Sequence, residues 1–295
     1  MRVTASHKPM ILGLRLDGLG DGAVLAEQAA IDFVLLGDPT SGVEGPVGAD
    51  PLSVAAFLMT TTQRIGLVAC VSDDWAPFNV ARAVGSFDLL SGGRCGWMPL
   101  TSGDAARSAE HLDVVLKLFD SWEDEALTYD KTTAVFADRT KVHRIRHAGA
   151  FFTVDGPLNA PRPPQGWPVL FQPVGSAGEF ADIVLTGIDD LDRMSREQVP
   201  TAIRLAEITY DLGADTAERG AALAERMSIA YLEGRCDGFL LAPANAGADI
   251  PLLVDQVIPN LRARGLARPS YGEGDFRTRL GLARPANQFA GVIGP

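Results

Sequence analysis

The chain has 295 residues, 46% of them hydrophobic and 21% charged, with a formal net charge of −11. That composition supports a sizeable soluble core, and the acidity argues against nucleic acid or an anionic membrane as a main partner. Cys70, Cys95 and Cys236 are few, scattered and outside any Cys-x-x-Cys pattern, so neither a disulfide framework nor a zinc cluster is expected, and the setting reads as reducing and cytoplasmic.

The N-terminal residues MRVTASHKPMILGLRL hold no long apolar run, and no segment approaches about eighteen uninterrupted apolar residues. Neither a signal peptide nor a membrane span is therefore expected. ILGLRL (11–16) reads as a strand and DGAVLAEQAAI (21–31) as a helix; DFVLLGD (32–38) is the second strand. DPLSVAAFLMTTTQ (50–63) opens with Asp50 as N-cap and Pro51 at the first helical position, a strong start signal. IGLVACVS (65–72) is continuously apolar, as a strand buried on both faces would be. PFNVARAVGSFDLL (77–90) is helical and stops at Gly92-Gly93; RCGWMPLT (94–101) is the next strand, and DAARSAEHLDVVLKLFDSW (104–122) a well-patterned helix.

Residues 123–166 read as an irregular insertion ending in the Pro-rich GPLNAPRPPQG, too long to be an idle connection. Strands resume with WPVLFQPV (167–174) and DIVLTG (182–187), after the shortest connection in the chain. IDDLDRMSREQV (188–199) is a weak helix, AIRLAEITYDL (202–212) a strand, and DTAERGAALAERMSIAYLEG (215–234) a helix. CDGFLLAPA (236–244) is the last strand and DIPLLVDQVIPNLRARG (249–265) the last helix. Strand-helix alternation demands a parallel sheet, and eight such units predict a (β/α)8 TIM barrel over residues 1–265, with a long insertion before strand 5. A doubly wound open sheet is the alternative, weakened because no G-x-G-x-x-G follows the first strand. Residues 266–295 form a tail expected to pack on the barrel or on a dimer partner.

Chemistry in such a barrel sits at the C-terminal strand ends, which are Asp17, Gly37-Asp38, Ser72 to Trp75, Met98 to Ser102, Gln172 to Gly178, Thr186-Gly187, Tyr210-Asp211 and Pro243. Asp38 could accept from a ribityl hydroxyl or ring N–H, although an Asx-turn or helix cap explains it as well. The Asp73-Asp74 pair could bind a cation, but neighbours in extended backbone point apart. The pair therefore reads as a solvated turn capping the next helix, with Ser72 and Trp75 lining the mouth. Trp97 and Met98 suit a flat aromatic ligand, with Thr101 and Ser102 as hydroxyl partners, and a Trp in a barrel strand is equally a core residue. Gly175-Ser176-Ala177-Gly178 permits close backbone approach to a phosphate, or is simply a tight loop. Lys141, His143, Arg144, Arg146 and His147 are the one dense positive cluster, able to meet an anionic substrate group or to form a solvated loop.

Several segments together resemble the luciferase-like flavin monooxygenases, in particular the nitrilotriacetate monooxygenase/DszA group. They are TQRIGLVACVSDDWAPFNVARAVGSFDLLSGGRCGWMPLTS, LKLFDSWEDEAL, DKTTAVFADRTKVHRIRHAGAFFTVDGPLNAPRPPQGWPVLFQ, DGFLLAPA and IPNLRARGLARPSYGEGDFRTRLGLARPAN. The resemblance runs through nearly the whole chain in order, and marks a shortened, divergent member. It implies a luciferase-like barrel, usually a homodimer, that takes reduced FMN from a separate flavin reductase and oxygenates a small organic molecule through a flavin hydroperoxide. By the same resemblance, Asp38, Ser72, Met98, Thr101, Ser102, Gln172, Gly175 and Ser176 fall at cofactor positions. Trp75, Trp97, His143 and His147 are expected on the substrate side, and no catalytic residue is singled out. Met98 stands where the family has Asn, and GSAGEFAD lacks the arginine and most of the helix of the family's GSxxGRxxAxxxAD. Those departures leave two alternatives: a non-catalytic barrel acting as a binding or accessory protein, and an F420-dependent oxidoreductase.

Overall fold

The computed structural model describes residues 8–16, 21–37, 48–101, 103–176, 180–213 and 216–291. Eight parallel strands carry the fold: β1 (Ile11–Leu16), β2 (Phe33–Leu36), β3 (Gly66–Ser72), β4 (Cys95–Leu100), β9 (Val169–Pro173), β10 (Ile183–Gly187), β11 (Ile203–Tyr210) and β12 (Gly238–Pro243). The short strands β5 (Leu127–Asp130), β6 (Val135–Ala137), β7 (His147–Ala148) and β8 (Thr153–Val154) lie in the insertion. The barrel order, β1-β12-β11-β10-β9-β4-β3-β2, is closed. The expected (β/α)8 architecture is thus the observed one. Every barrel strand is apolar and buried on both sides over most of its length, the signature of a sheet sandwiched between a lumen and a helix layer.

The helices are α1 (Gly22–Gln28), α2 (Pro51–Leu58), α3 (Pro77–Ser91), α4 (Ala105–Asp120), α5 (Thr216–Leu232), α6 (Ala246–Leu252), α7 (Ile258–Ala263) and α8 (Phe276–Leu280). Their ends follow local chemistry. In α2, the Asp50 carboxylate accepts the Ser53 N–H at 2.8 Å and Pro51 occupies the first turn. α3 closes at Gly92, as the Gly-Gly pair foretold. α4 is capped by Asp104, which accepts from the Ala106 and Arg107 N–H groups. The weak helix after β10 is a short 3-10 helix, Ile188–Met194, kinked at Asp190. Among the described residues no helix is long and apolar enough to cross a membrane.

The chain divides into two compact units, Met1–Cys70 with Phe171–Glu273, and Val71–Leu170 with Gly274–Pro295. In the first, the ring of Phe33 on β2 meets that of Phe171 on β9 at 5.0 Å. These strands are not neighbours, so both rings project into the lumen. A Cβ on Gly13 of β1 would come within 2.2 Å of the Phe33 ring; this lumen position can only be glycine. Alternation along β1 then points Arg15 inward as well.

In the second unit the insertion is more regular than its composition suggested. β5 pairs antiparallel with β6, and β7 with β8. The first pair turns on Asp130, whose carboxylate accepts from the Thr132 and Thr133 N–H groups. Strands of two to four residues are too short to print a period-2 pattern. The insertion is nailed to α4 by Arg162, whose guanidinium bonds Asp120 at 2.8 Å with both side chains buried, and reaches Asp124 at 3.0 Å. Within the tail, α8 docks through buried Phe276 and Leu280, and its Arg277 N–H donates to the Gln165 side chain.

Candidate active site

In the first unit, the end of β9 is a built turn. The Pro173 carbonyl accepts the Ser176 N–H at 3.2 Å, and Gly175 sits at φ +93° in its third position. Positive φ there is the mark of a type II turn, which glycine adopts without strain. Gln172, the residue after lumen-facing Phe171, points to the opposite side of the strand and is buried; its Nε2 donates to the Ser176 carbonyl at 3.2 Å. The Ser176 hydroxyl donates to the Pro173 carbonyl at 3.1 Å. Expected ligand positions Gly175 and Ser176 are exposed at this rim, and Gln172 is the latch that holds the turn rather than an open ligand face. Arg193, in the 3-10 helix after β10, places its Nη2 3.9 Å from where a Gly175 Cβ would stand. Asp38, Ala177 and Gly178 lie outside the described residues, as does Asp17.

Two further features of this unit stand out, of which the reading of the sequence named only the strand-end position of Tyr210. Arg15 of β1 pairs with Glu207 of β11, across the intervening β12, with side chains 13% and 22% exposed. A half-buried ion pair projects into an otherwise apolar lumen near the strand ends. The signal was partly available: Arg15 is the one charge in the apolar strand ILGLRL, whereas Glu207 shares IRLAEITY with Arg204. Tyr210, at the end of β11, buries its hydroxyl with no hydrogen-bond partner among the described residues. Burial first, and then the Asp249 carboxylate, push its ionisation well above the ordinary phenol range.

In the second unit, Ser72 ends β3 with its hydroxyl engaged locally. It accepts the Asp74 N–H at 3.1 Å and donates to Asp74 Oδ2 at 3.0 Å. The expected solvated Asp73-Asp74 turn is corrected. Asp73 is buried, its N–H extends the ladder to the Leu100 carbonyl, and its carboxylate bonds Ser108 on the first turn of α4. Arg107 donates to the Asp73 carbonyl at 3.0 Å. Neither aspartate caps α3, whose N-cap is Ala76 without a side-chain bond. Trp75 is 41% exposed, and its carbonyl accepts a hydrogen bond from His111 Nε2 at 2.9 Å. Burial of His111 lowers its pKa and favours the neutral ring, in which the bond to the Trp75 carbonyl requires the proton on Nε2.

Trp97 and Met98 are both fully buried but face opposite ways. Trp97 pairs in register with Leu170, the residue before lumen-facing Phe171. Its ring therefore lies on the helix side of β4, not at the mouth, which corrects its expected place beside the substrate. Met98 takes the lumen side and offers only a weakly accepting thioether where an amide was expected by resemblance. Thr101 is exposed at the strand end, and Ser102 lies outside the described residues.

Four members of the positive cluster, all but Arg146, meet carboxylates. His143 Nε2 meets Glu123 at 2.7 Å and stacks on Phe289; Lys141 pairs with Glu125, and Arg144 with Asp155. His147 Nε2 lies 3.0 Å from Glu110, whose carboxylate also collects the Ala150, Phe151 and Phe152 N–H groups. The two histidines sit in separate pairings that brace the insertion, and are not brought together as one anion site. Arg107 lies 5.1 Å over the Phe152 ring, tying the same segment to the end of β3.

A closed barrel of eight parallel strands, with polar turns and a half-buried ion pair near its strand ends, defines a (β/α)8 enzyme scaffold. The chain belongs to the luciferase-like monooxygenase family, whose model matches residues 3–207. It is 34% identical over 294 residues to one of the pristinamycin IIA synthase subunits of Streptomyces pristinaespiralis, covering 95% of this chain and 97% of that one. It is 38% identical over 178 residues to a dibenzothiophene-sulfone monooxygenase of Rhodococcus erythropolis, covering 52% of this chain and 39% of that one. Among solved structures, a long-chain alkane monooxygenase superposes with a TM-score of 0.82 at 19% identity, covering 93% of this chain and 96% of that one.

Proposed function

We propose that this chain is the oxygenase of a two-component system that takes reduced FMN from a separate flavin reductase and oxygenates a small organic molecule. The observation that carries this reading is the preformed type II turn at Gly175-Ser176, braced by Gln172, within a chain that matches the family model over residues 3–207. Its groups fit a phosphate monoester: an accessible glycine backbone, a nearby guanidinium, and the exposed Ser176 hydroxyl once it gives up its bond to the Pro173 carbonyl. When bound, the reduced flavin supplies the electrons that activate dioxygen.

The chain's own residues bind, orient and exclude water. Gly175 and Ser176 would hold the phosphate end, with Gln172 fixing the turn behind them. Met98 would give the ring an apolar wall, and Thr101 a hydroxyl at the rim. Asp38, Ser72 and Ser102 complete the proposed cofactor positions, although Ser72 must first give up its bonds to Asp74. Trp75, His143 and His147 remain the proposed substrate side, Trp75 being the one exposed to meet a ligand.

Anaerobic titration with FMNH2, followed by calorimetry, tests the reading, with oxidised FMN and F420 in parallel. Micromolar binding of FMNH2, with substrate-dependent oxygen uptake above a reductase-only control, is expected. Absence of binding at high micromolar flavin would overturn it, and preferential binding of F420 would replace the cofactor.

A second reading is favoured by two observations. Met98 leaves the lumen side of β4 without a polar group, and the Ser72 hydroxyl is spent on Asp74. One relative matched over nearly its full length is named as one part of a synthase with more than one subunit. In this reading the chain is an accessory barrel whose partner does the chemistry. Light scattering separates a homodimer, expected under the first reading, from a chain that assembles only with a second, different barrel.

A further inference from the structure

The turn at the end of β9 lacks the arginine that would follow it in its own helix, yet a guanidinium stands beside it. Arg193 arrives from the next unit of the barrel. β9 and β10 are paired, Leu185 opposite Pro173, so the 3-10 helix that leaves β10 runs beside the turn that leaves β9. A side-chain carbon on Gly175 would stand 3.9 Å from Arg193 Nη2. The hydrogen that glycine carries there leaves this space open to a ligand.

Among the described residues, no carboxylate pairs with Arg193. It lies in a segment with Asp189, Asp190 and Asp192, yet it has no ion-pair or hydrogen-bond partner among the described residues. Asp189 is taken by Arg226 at 3.0 Å, and the neighbouring Arg196 is taken by Asp237. The Gly175 N–H likewise has no partner among the described residues, since the turn's own bond uses the Ser176 N–H. A cation and a backbone donor without partners among the described residues, and a hydroxyl bonded to the Pro173 carbonyl, therefore meet at one exposed corner of this unit. A planar guanidinium presents paired donors that match two oxygens of a phosphate.

We propose that Arg193 is a binding residue for the phosphate monoester of the flavin at the Gly175-Ser176 turn, taking over from the arginine that the turn's own helix lacks. The proposal rests on the flavin reading given above. It assigns the charge to the loop after the sixth barrel strand rather than to the fifth, and explains how a turn with almost no helix behind it still meets a dianion.

The test compares FMN, which carries the phosphate, with riboflavin, which does not. Dissociation constants for both are measured by fluorescence quenching on the wild-type chain, Arg193→Ala and Arg193→Lys. The expected result is a loss of about tenfold in FMN affinity for Arg193→Ala, as for one charge-assisted hydrogen-bonding group. Riboflavin affinity should stay unchanged, and Arg193→Lys should be intermediate. Unchanged FMN affinity in Arg193→Ala, or equal losses for both flavins, would overturn the role of Arg193 while leaving the flavin reading intact. Failure of the wild-type chain to bind either flavin would overturn both. Because Arg193 is exposed, its removal leaves no cavity, and circular dichroism of each variant verifies the fold.

Discussion

Single side chains set how this barrel responds to pH and to charge. Asp88, on α3, is fully buried and receives the Cys95 N–H at 3.1 Å and the Gln165 Nε2 at 2.6 Å. Burial pushes its carboxyl up to about 6, against the pull of those hydrogen bonds. In the unfolded chain it titrates near 4. The folded state therefore holds the proton more tightly, so the stabilisation is complete below about pH 4 and is lost as pH rises through about 6. The expected swing is at most roughly 3 kcal/mol. Subtracting the urea stability of Asp88→Asn from that of the wild type, across pH 4 to 7, should isolate this slope; a flat difference would refute it. The Arg15–Glu207 pair tests a different point. Replacing a buried ion pair with apolar residues of similar size is often neutral or stabilising. The double variant Arg15→Leu, Glu207→Leu should thus melt no lower than the wild type. If the pair serves the ligand, the same variant should lose flavin or substrate binding, whereas unchanged binding would make the pair purely structural. Neither member was read from the sequence as a site residue, because attention to strand ends passed over charges placed one turn of the pleat earlier.

At the level of elements, the insertion shows where a sequence pattern stops informing. Its Pro-rich end was legible as irregular backbone, but its two short antiparallel pairs were not. What fixes the segment is long-range: Glu110 gathering three backbone N–H groups, and Arg162 reaching Asp120 and Asp124. No local propensity encodes such partners. Asp120 is buried and its carboxyl is raised by that burial, an effect Arg162 offsets. Arg162→Ala would leave that charge unpaired, and a stability loss of about 3–5 kcal/mol is expected in denaturant unfolding. A loss under about 1 kcal/mol, typical of an exposed pair, would show that the insertion is anchored elsewhere. The long elements were more legible. α2, α3 and α4 begin and end within a few residues of their cap signals, because Asp50, Asp104 and the Gly92-Gly93 pair act locally.

For the whole molecule, the alternation of eight apolar strands with helices specified the closed barrel, since each parallel crossover requires a helix and strand burial on both faces leaves a continuous apolar run. The direction of a side chain within a strand was less legible: Trp97 and Met98 are adjacent and equally apolar, and only the register with Leu170 tells which faces the lumen. Net charge makes a separate demand. A chain of −11 sets up a field that opposes the approach of a dianion, whatever cation waits at the turn. That long-range repulsion decays over about 30 Å at 0.01 M salt, but over only about 8 Å at 0.15 M. A contact at the Gly175 turn operates inside the shorter length. Raising salt between those limits should therefore accelerate FMN association several-fold in stopped-flow measurements while leaving riboflavin association unchanged. If FMN association instead slows as salt rises, the cation at the turn outweighs the net charge, and encounter is steered locally rather than resisted globally.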